Sequence, residues 1–253
     1  MGITPQPDSA TNLPTQAELA PIHRGALVVL IGFVLSVVAR LIFHGAQLTL
    51  DAGALSGASG MRPPEAPDPD FMLLLPLLAV VLVAKLIEAF GKIVCLSRTA
   101  SSVAAGTNPP RLNYLPLHLS LACDLVAVAG IMLRVVNFGR TAGPMVPWMH
   151  GFDLVGLAAM LPFGRFARSL ALAFRVPSIA FWARFNMVAA TVLIVAGARP
   201  EWWLMFMAFW HQQWRGALAV LFVVALAAVG SYVAMLSKIL GLKLAEPPAG
   251  GST

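Results

Sequence analysis

Long uninterrupted apolar stretches are the feature of this sequence that most restricts its fold. The clearest runs from Gly216 to Ser237 and contains no charged side chain. A transmembrane helix needs about 20 mostly apolar residues, because it rises about 1.5 Å per residue and the hydrocarbon core of a bilayer is about 30 Å thick. The stretches are also far longer than the strands of a membrane barrel and lack their alternation. The sequence therefore predicts an all-α integral membrane protein.

The composition agrees with this prediction. Of the 253 residues, 58% are apolar and only 11% are charged, and the mean hydropathy is +0.81. Soluble domains carry about 25% charged residues, so this chain has too few of them to cover a water-soluble globule. Soluble enzymes, secreted disulfide scaffolds, disordered chains and coiled coils are thereby excluded. Cys95 and Cys123 lie in apolar stretches, without the spacing of a thiolate metal site or of covalent haem attachment.

Six stretches are long and apolar enough to predict a bundle of about six transmembrane helices. Residues 1–24 and 241–253 are expected to be flexible cytoplasmic tails on either side of one transmembrane domain, residues 25–240. Residues 164–177 and 201–214 are predicted to be amphipathic helices in the membrane plane, the second because Trp is enriched at membrane interfaces. The six predicted spans are residues 25–46, 71–96, 114–136, 145–164, 178–198 and 215–240.

The distribution of basic residues predicts the orientation. Six spans place both termini on one side, and that side receives ten basic residues, including Lys92, against five on the other. Because Lys and Arg are enriched in cytoplasmic loops, we expect a multi-pass inner-membrane protein with both termini in the cytoplasm. The net charge of +6 then reflects topology and contact with membrane lipid. It does not indicate nucleic-acid binding, since the sequence has no run of Lys or Arg.

Ionisable residues within the spans are the strongest functional candidates, since each costs about 2.5–3.5 kcal/mol at a helix centre unless it faces protein or water. Lys85, Glu88 and Lys92 share one face of the second span, because spacings of three and seven residues are helical. Asp124 lies at a similar depth in the third span, with His118 nearer its inner end. We expect a buried Lys85–Asp124 ion pair with Glu88 and His118 beside it, either as a proton or ion relay or as a structural pair that fixes helix register.

A second group of polar residues is predicted near the outer face. An Arg134–Asp153 pair is its simplest arrangement, with three histidines as interfacial polar groups. Three imidazoles at one depth are also able to bind a divalent metal or haem, although the sequence requires no cofactor. The group consists of His44, Arg134, His150, Asp153 and His211.

Three arginines cluster on one side of the predicted in-plane segment 164–177. These are Arg165, Arg168 and Arg175. On the cytoplasmic leaflet they would lie against anionic lipid, each contributing about 1 kcal/mol. The alternative is a simple anchor that follows the positive-inside rule.

The sequence contains no catalytic motif, which favours a non-enzymatic role. The favoured function is a non-catalytic integral subunit of a larger inner-membrane complex, with protein partners or further copies of itself. Small residues at helical spacing in the sixth span, such as Gly230 and Ala234, are typical of close helix contacts. The first alternative is a transporter or channel that moves protons or ions past the charged residues of the second and third spans. The second is a redox protein that binds haem or metal through the three outer histidines.

Overall fold

The described part of the chain is a helical bundle. The computed structural model describes residues 16–56, 75–104, 112–136, 146–198 and 214–242, and these ranges contain helices and short turns but no strand. The predicted all-α class is confirmed for these residues. The helices are α1 Gln16–Ser56, α2 Leu75–Ala104, α3 Leu115–Val136, α4 Val146–Ala158, α5 Met160–Ala173, α6 Pro177–Ala198 and α7 Trp214–Leu240.

Five helical segments within the described ranges are long and apolar enough to cross a membrane, which indicates a membrane protein. The predicted second span, residues 71–96, corresponds to α2. That helix is not one of the five, because it carries three charged residues close together. The five segments are Leu19–Phe43, Leu115–Val136, Gly151–Ala173, Pro177–Ala198 and Phe222–Leu240.

Several predicted boundaries differ from the structure. The predicted ends of the first two spans, residues 46 and 96, fall short of the helix ends, Ser56 and Ala104. Helix α1 begins at Gln16, before the predicted start of the first span, because Leu19 and Ile22 continue its apolar spacing and are buried. The segment Gly151–Ala173, which corresponds to the predicted fourth span, takes in most of the predicted in-plane segment 164–177. The predicted segment 201–214 lies outside the described residues except for its last position.

A proline explains the short interruption between α4 and α5. Pro162 has no N–H group, and its ring conflicts with the carbonyl group of Ala158, four residues earlier. The hydrogen bond to the Ala158 carbonyl oxygen is therefore missing, whereas the Ala159 N–H still donates to the Val155 carbonyl oxygen at 3.1 Å. The Ser120 hydroxyl on α3 donates a hydrogen bond of 2.8 Å to the Ala159 carbonyl oxygen, which ties this interruption to the neighbouring helix.

Helices α1 and α2 approach each other closely through glycines. A Cβ atom on Gly32 would lie 2.5 Å from the backbone nitrogen of Glu88, and one on Gly91 would lie 2.6 Å from that of Val29. Such separations are shorter than any that real Cβ atoms adopt. The absence of side chains at Gly32 and Gly91 therefore allows the two backbones to touch.

The buried apolar residues form a large cluster and a small one. The larger one includes Leu19 on α1 and Cys95 on α2. The smaller one includes Ala39 on α1 and Leu78 on α2. Since α2 enters the smaller cluster near its start and the larger one further along, its charged segment, residues 85–92, lies between the two.

We predict that Gly32→Ala destabilises the protein. The added methyl group meets the α2 backbone, and overpacking of this kind costs about 1–3 kcal/mol. The matched control is Gly230→Ala, because a Cβ atom at Gly230 would have nothing within 4 Å among the described residues. Thermal unfolding in detergent should show a lower midpoint for Gly32→Ala and an unchanged one for Gly230→Ala. Equal midpoints for the two variants would contradict the close approach of α1 and α2.

Candidate functional site

Two lysines and two carboxylates form a closed cluster between α2 and α3, which we call the charge ring (Lys85, Glu88, Lys92 and Asp124). The Lys85 Nζ atom lies 2.6 Å from Glu88 Oε2 and 3.5 Å from Asp124 Oδ1. The Lys92 Nζ atom lies 3.4 Å from Glu88 Oε1 and also donates a close hydrogen bond to Asp124 Oδ2. Each lysine therefore contacts both carboxylates, and the formal charges of the ring sum to zero.

The charge ring is buried and lies at the middle depth of the helices. Exposed fractions are 7% for Lys85, 2% for Glu88, and 0% for Lys92 and Asp124. Asp124 is the tenth residue of the 22-residue span Leu115–Val136. Glu88 packs against Gly32, near the centre of the span Leu19–Phe43. The ring thus occupies the depth at which an uncompensated charge is least favourable.

Aromatic residues from three other helices cover the ring. The Lys92 Nζ atom lies 5.5 Å from the centroid of the Phe163 ring, within the range of a cation–π contact. The Tyr232 ring lies between Phe163, with centroids 5.5 Å apart, and Phe33, with centroids 4.5 Å apart. Helices α1, α5 and α7 therefore contribute an aromatic group next to the Lys92 side of the charge ring.

The Tyr232 hydroxyl group is a buried donor near the ring. The side chain is fully buried, and its oxygen has no hydrogen-bond partner among the described residues. A buried polar group without a partner is costly, so this hydroxyl is a candidate for a function beyond packing.

A second polar contact joins α6 to α7 at the same depth. The Asn186 side-chain amide donates hydrogen bonds to the Ala228 carbonyl oxygen at 3.0 Å and to Ser231 Oγ at 3.2 Å. Ser231 in turn donates to the Ala228 carbonyl oxygen at 2.9 Å. Ser231 therefore packs inside the bundle, whereas Gly230, one of the small residues noted in the sixth span, is exposed.

The predicted outer cluster contains an additional arginine. Arg134 Nη2 lies 2.5 Å from Asp153 Oδ2, as expected for the predicted pair, and Arg40 Nη1 lies 3.5 Å from Asp153 Oδ1. The three side chains are partly exposed. His44 and His150 lie in α1 and α4, but their side chains are outside the described part of the chain, and so is the whole of His211.

The structure places His118 away from the charge ring. It is exposed, and its Nδ1 atom lies 2.9 Å from the Tyr114 carbonyl oxygen. His118 precedes Asp124 by six residues, which on a helix is a rotation of roughly 240°, so the two side chains lie on different faces. This residue is therefore not part of the relay geometry that the sequence analysis expected.

Three features of the site were missed or misassigned in the sequence analysis. Lys92 was counted as a residue of the inner boundary, but α2 continues to Ala104 and buries it. The signal in the sequence was its spacing of four residues from Glu88, which places both side chains on one face of the helix. Arg40 lies within the first span and had no assigned partner. The cover by Phe163 and Tyr232 depends on contacts between distant helices, for which the sequence contains no local signal.

Comparison with known proteins does not extend this description. No protein-family model, curated protein or solved structure matches the chain. Among the described residues, no three His, Cys, Asp or Glu side chains are grouped so that they could hold a metal ion. The charge ring is thus the described feature with the clearest chemistry.

We predict that Lys92→Met strongly destabilises the protein. It leaves a net negative charge in the buried ring, and removing one partner of a buried ion pair costs about 3–5 kcal/mol. Adding Asp124→Asn restores neutrality and leaves the Lys85–Glu88 pair, at 2.6 Å, intact. The midpoint of thermal unfolding should fall sharply for the single variant and recover in the double variant. Lys238→Met, at an exposed lysine near the end of α7, is the control.

That recovery is the decisive part of the experiment. A double variant no more stable than Lys92→Met would show that ring neutrality does not control stability, and the electrostatic interpretation would then be wrong.

We predict that Tyr232→Phe raises stability. The substitution keeps the ring contacts with Phe33 and Phe163 and removes a buried hydroxyl group whose missing hydrogen bond costs about 1–3 kcal/mol. The same unfolding measurement tests this expectation. A lower midpoint would indicate that the hydroxyl group is hydrogen-bonded in the folded protein.

Proposed function

We propose that this chain is a multi-pass membrane transport protein that moves protons through the charge ring. The observation that supports the proposal is a charge-neutral set of two lysines and two carboxylates at the middle depth of the spans. Ionisable residues at this depth are rare because they are costly, and they commonly belong to proton or ion pathways. Binding sites of transporters also lie near the bilayer midplane.

The pairing pattern of the ring suits proton exchange. Lys85 is close to Glu88 and further from Asp124, whereas Lys92 is close to Asp124 and further from Glu88. If Glu88 accepts a proton, the ring gains one net positive charge in a medium that stabilises it poorly. Loss of one proton from a lysine restores neutrality. Transfer of the Glu88 proton to the neutral lysine, 2.6 Å away in the case of Lys85, then restores both groups. With uptake from one side of the membrane and release to the other, one proton has crossed and the ring has regained its original protonation state.

We further propose that α2 is a sixth span, so that both termini lie in the cytoplasm of a cell with an inner membrane. Helix α2 packs along α1 and directs Lys85, Glu88 and Lys92 inward. Its opposite face exposes apolar side chains suited to lipid contact, among them Val83, Leu86, Phe90 and Ile93. The excess of basic residues on the side of the termini agrees with this orientation.

A second candidate is a non-catalytic integral subunit of a larger membrane complex. The observation that favours it is that every charge of the ring has a partner within the ring. A structural cluster that fixes the register of two helices has the same full pairing. Under this proposal the ring orders α2 against α3, and other proteins supply the activity.

Proton flux into liposomes tests the first proposal. The purified chain is reconstituted with a pH-sensitive dye inside the vesicles, and a potassium diffusion potential drives proton entry. We expect the protein to acidify the interior faster than empty liposomes do. Lys85→Met with Glu88→Gln removes one carboxylate but keeps the ring neutral, so this variant should fold and lose the flux. Lys238→Met is the control that keeps it.

Two results would count against proton transport. One is a wild-type rate equal to that of empty liposomes, and the other is a folded double variant that conducts like the wild type. Purification from native membranes in mild detergent then distinguishes the second candidate. Partner proteins in fixed stoichiometry would support the subunit proposal, and a chain that purifies alone would contradict it.

A further inference from the structure

Helices α5 and α6 form a hairpin that carries three exposed arginines on its helices and a fourth, Arg175, in its turn. Arg165 and Arg168 belong to α5, and Arg184 belongs to α6. The first two were grouped with Arg175 from the sequence alone. Arg184 joins them through the fold, because the chain reverses direction between the two helices.

A compact turn makes this hairpin antiparallel. The Val176 N–H donates to the Ala171 carbonyl oxygen at 2.9 Å, and the Arg175 N–H donates to that of Leu172 at 3.3 Å. Arg175 adopts a φ of 55°. These two bonds and the left-handed residue are the features of a Schellman motif, which ends α5. Helix α6 begins at Pro177, a residue type that is favoured at the first position of a helix.

The register of the hairpin brings the three arginines to one side. Gly164 faces α6, since a Cβ atom there would lie 3.4 Å from the Ala183 carbonyl oxygen. Arg165 comes directly after Gly164, and Arg184 comes directly after Ala183. Each arginine is therefore rotated by about 100° about its helix axis from the residue at the contact between the helices. Because the helices are antiparallel, both rotations turn the side chains toward the same side, at one level. Arg168 lies one helical turn nearer the tip on that side.

These arginines lie within the apolar segments. Arg165 is eight residues from the end of Gly151–Ala173, or about 12 Å, and Arg184 is seven residues from the start of Pro177–Ala198. Exposed guanidinium groups at this depth are unfavourable unless they reach an anion or the polar interface. A charge partner is therefore expected for each of them.

The side chains that the structure describes do not supply this partner. The acidic ones among them are Glu88, Asp124 and Asp153, and each is paired with Lys85, Lys92, Arg40 or Arg134. The side chains of Glu18 and Asp51 on α1 lie outside the described part. The anion is therefore expected from outside these residues. In a membrane, the abundant anion that an arginine side chain reaches by extending toward the interface is a lipid phosphate.

We propose that Arg165, Arg168 and Arg184 form a binding site for the headgroup of an anionic phospholipid. Guanidinium groups donate paired hydrogen bonds to phosphate oxygens, which makes Arg the suitable residue. The acyl chains lie along the exposed apolar surface of α6 that continues from Arg184 through Val188 and Val192. The site does not depend on the proposed transport function.

Lipid binding to the purified full chain tests the proposal. The protein in a neutral detergent is titrated with phosphatidylglycerol or phosphatidylcholine, and bound lipid is counted by native mass spectrometry. We expect preferential binding of phosphatidylglycerol, weakened about fivefold by each Arg→Gln substitution at the three positions. Arg24→Gln, at an exposed arginine on α1, is the matched control and should bind as the wild type does.

Several outcomes would overturn the lipid site. These are equal binding of the two lipids, the same loss in Arg24→Gln as in the site variants, or displacement of the lipid by inorganic phosphate at equal concentration. A protein partner that is lost from the triple Arg→Gln variant while phosphatidylglycerol binding is unchanged would assign the surface to that partner instead. Should the triple variant fail to fold, the single variants and Arg184→Lys, which keeps the charge, decide between the outcomes.

Discussion

Electrical neutrality in the middle of the bundle is the constraint on which the rest of this structure depends. Helix α2 carries two positive charges and one negative charge at this depth, and α3 carries one negative charge. Neither helix is neutral alone, so each leaves one uncompensated charge in the apolar interior until the other pairs with it. The pairing of Asp124 with the two lysines is therefore an energetic requirement for burying α2, and it determines which face of each helix points inward.

The close packing of α1 maintains the low polarity that makes this requirement strict. Gly32 and Gly91 let the two backbones touch, so the turn that carries Glu88 is covered by main chain rather than by mobile side chains. Phe163 contacts Lys92, and Tyr232 packs against Phe163, from helices that are distant in sequence. Water exclusion strengthens every electrostatic interaction in the ring. The packing and the charges thus depend on each other.

Local spacing predicted much of this arrangement, and contacts between helices account for the rest. The apolar stretches indicated the helices, and the intervals in α2 placed Lys85 and Glu88 on the face that meets Asp124. Lys92 resembled a boundary residue, because basic residues near the end of a span are common and the continuation of α2 to Ala104 was not evident. His118 has a suitable depth but the wrong rotation about the axis of α3. The depth of a residue in the bundle follows from counting residues along its helix. The direction of its side chain relative to a neighbouring helix depends on how the helices pack.

The two lysines of the charge ring also restrict which cation the ring could exchange under the proposed transport function. The two ammonium groups already take the positions between the carboxylates that a bound metal cation would need. A metal ion would have to displace a lysine and would add charge in an environment that stabilises it poorly. A proton needs no new ligand, since a carboxylate accepts it and a lysine releases one in compensation. The arginines of α5 and α6 differ, because they are exposed and are expected to be neutralised by the membrane. Proton exchange is therefore the chemistry that disturbs this centre least.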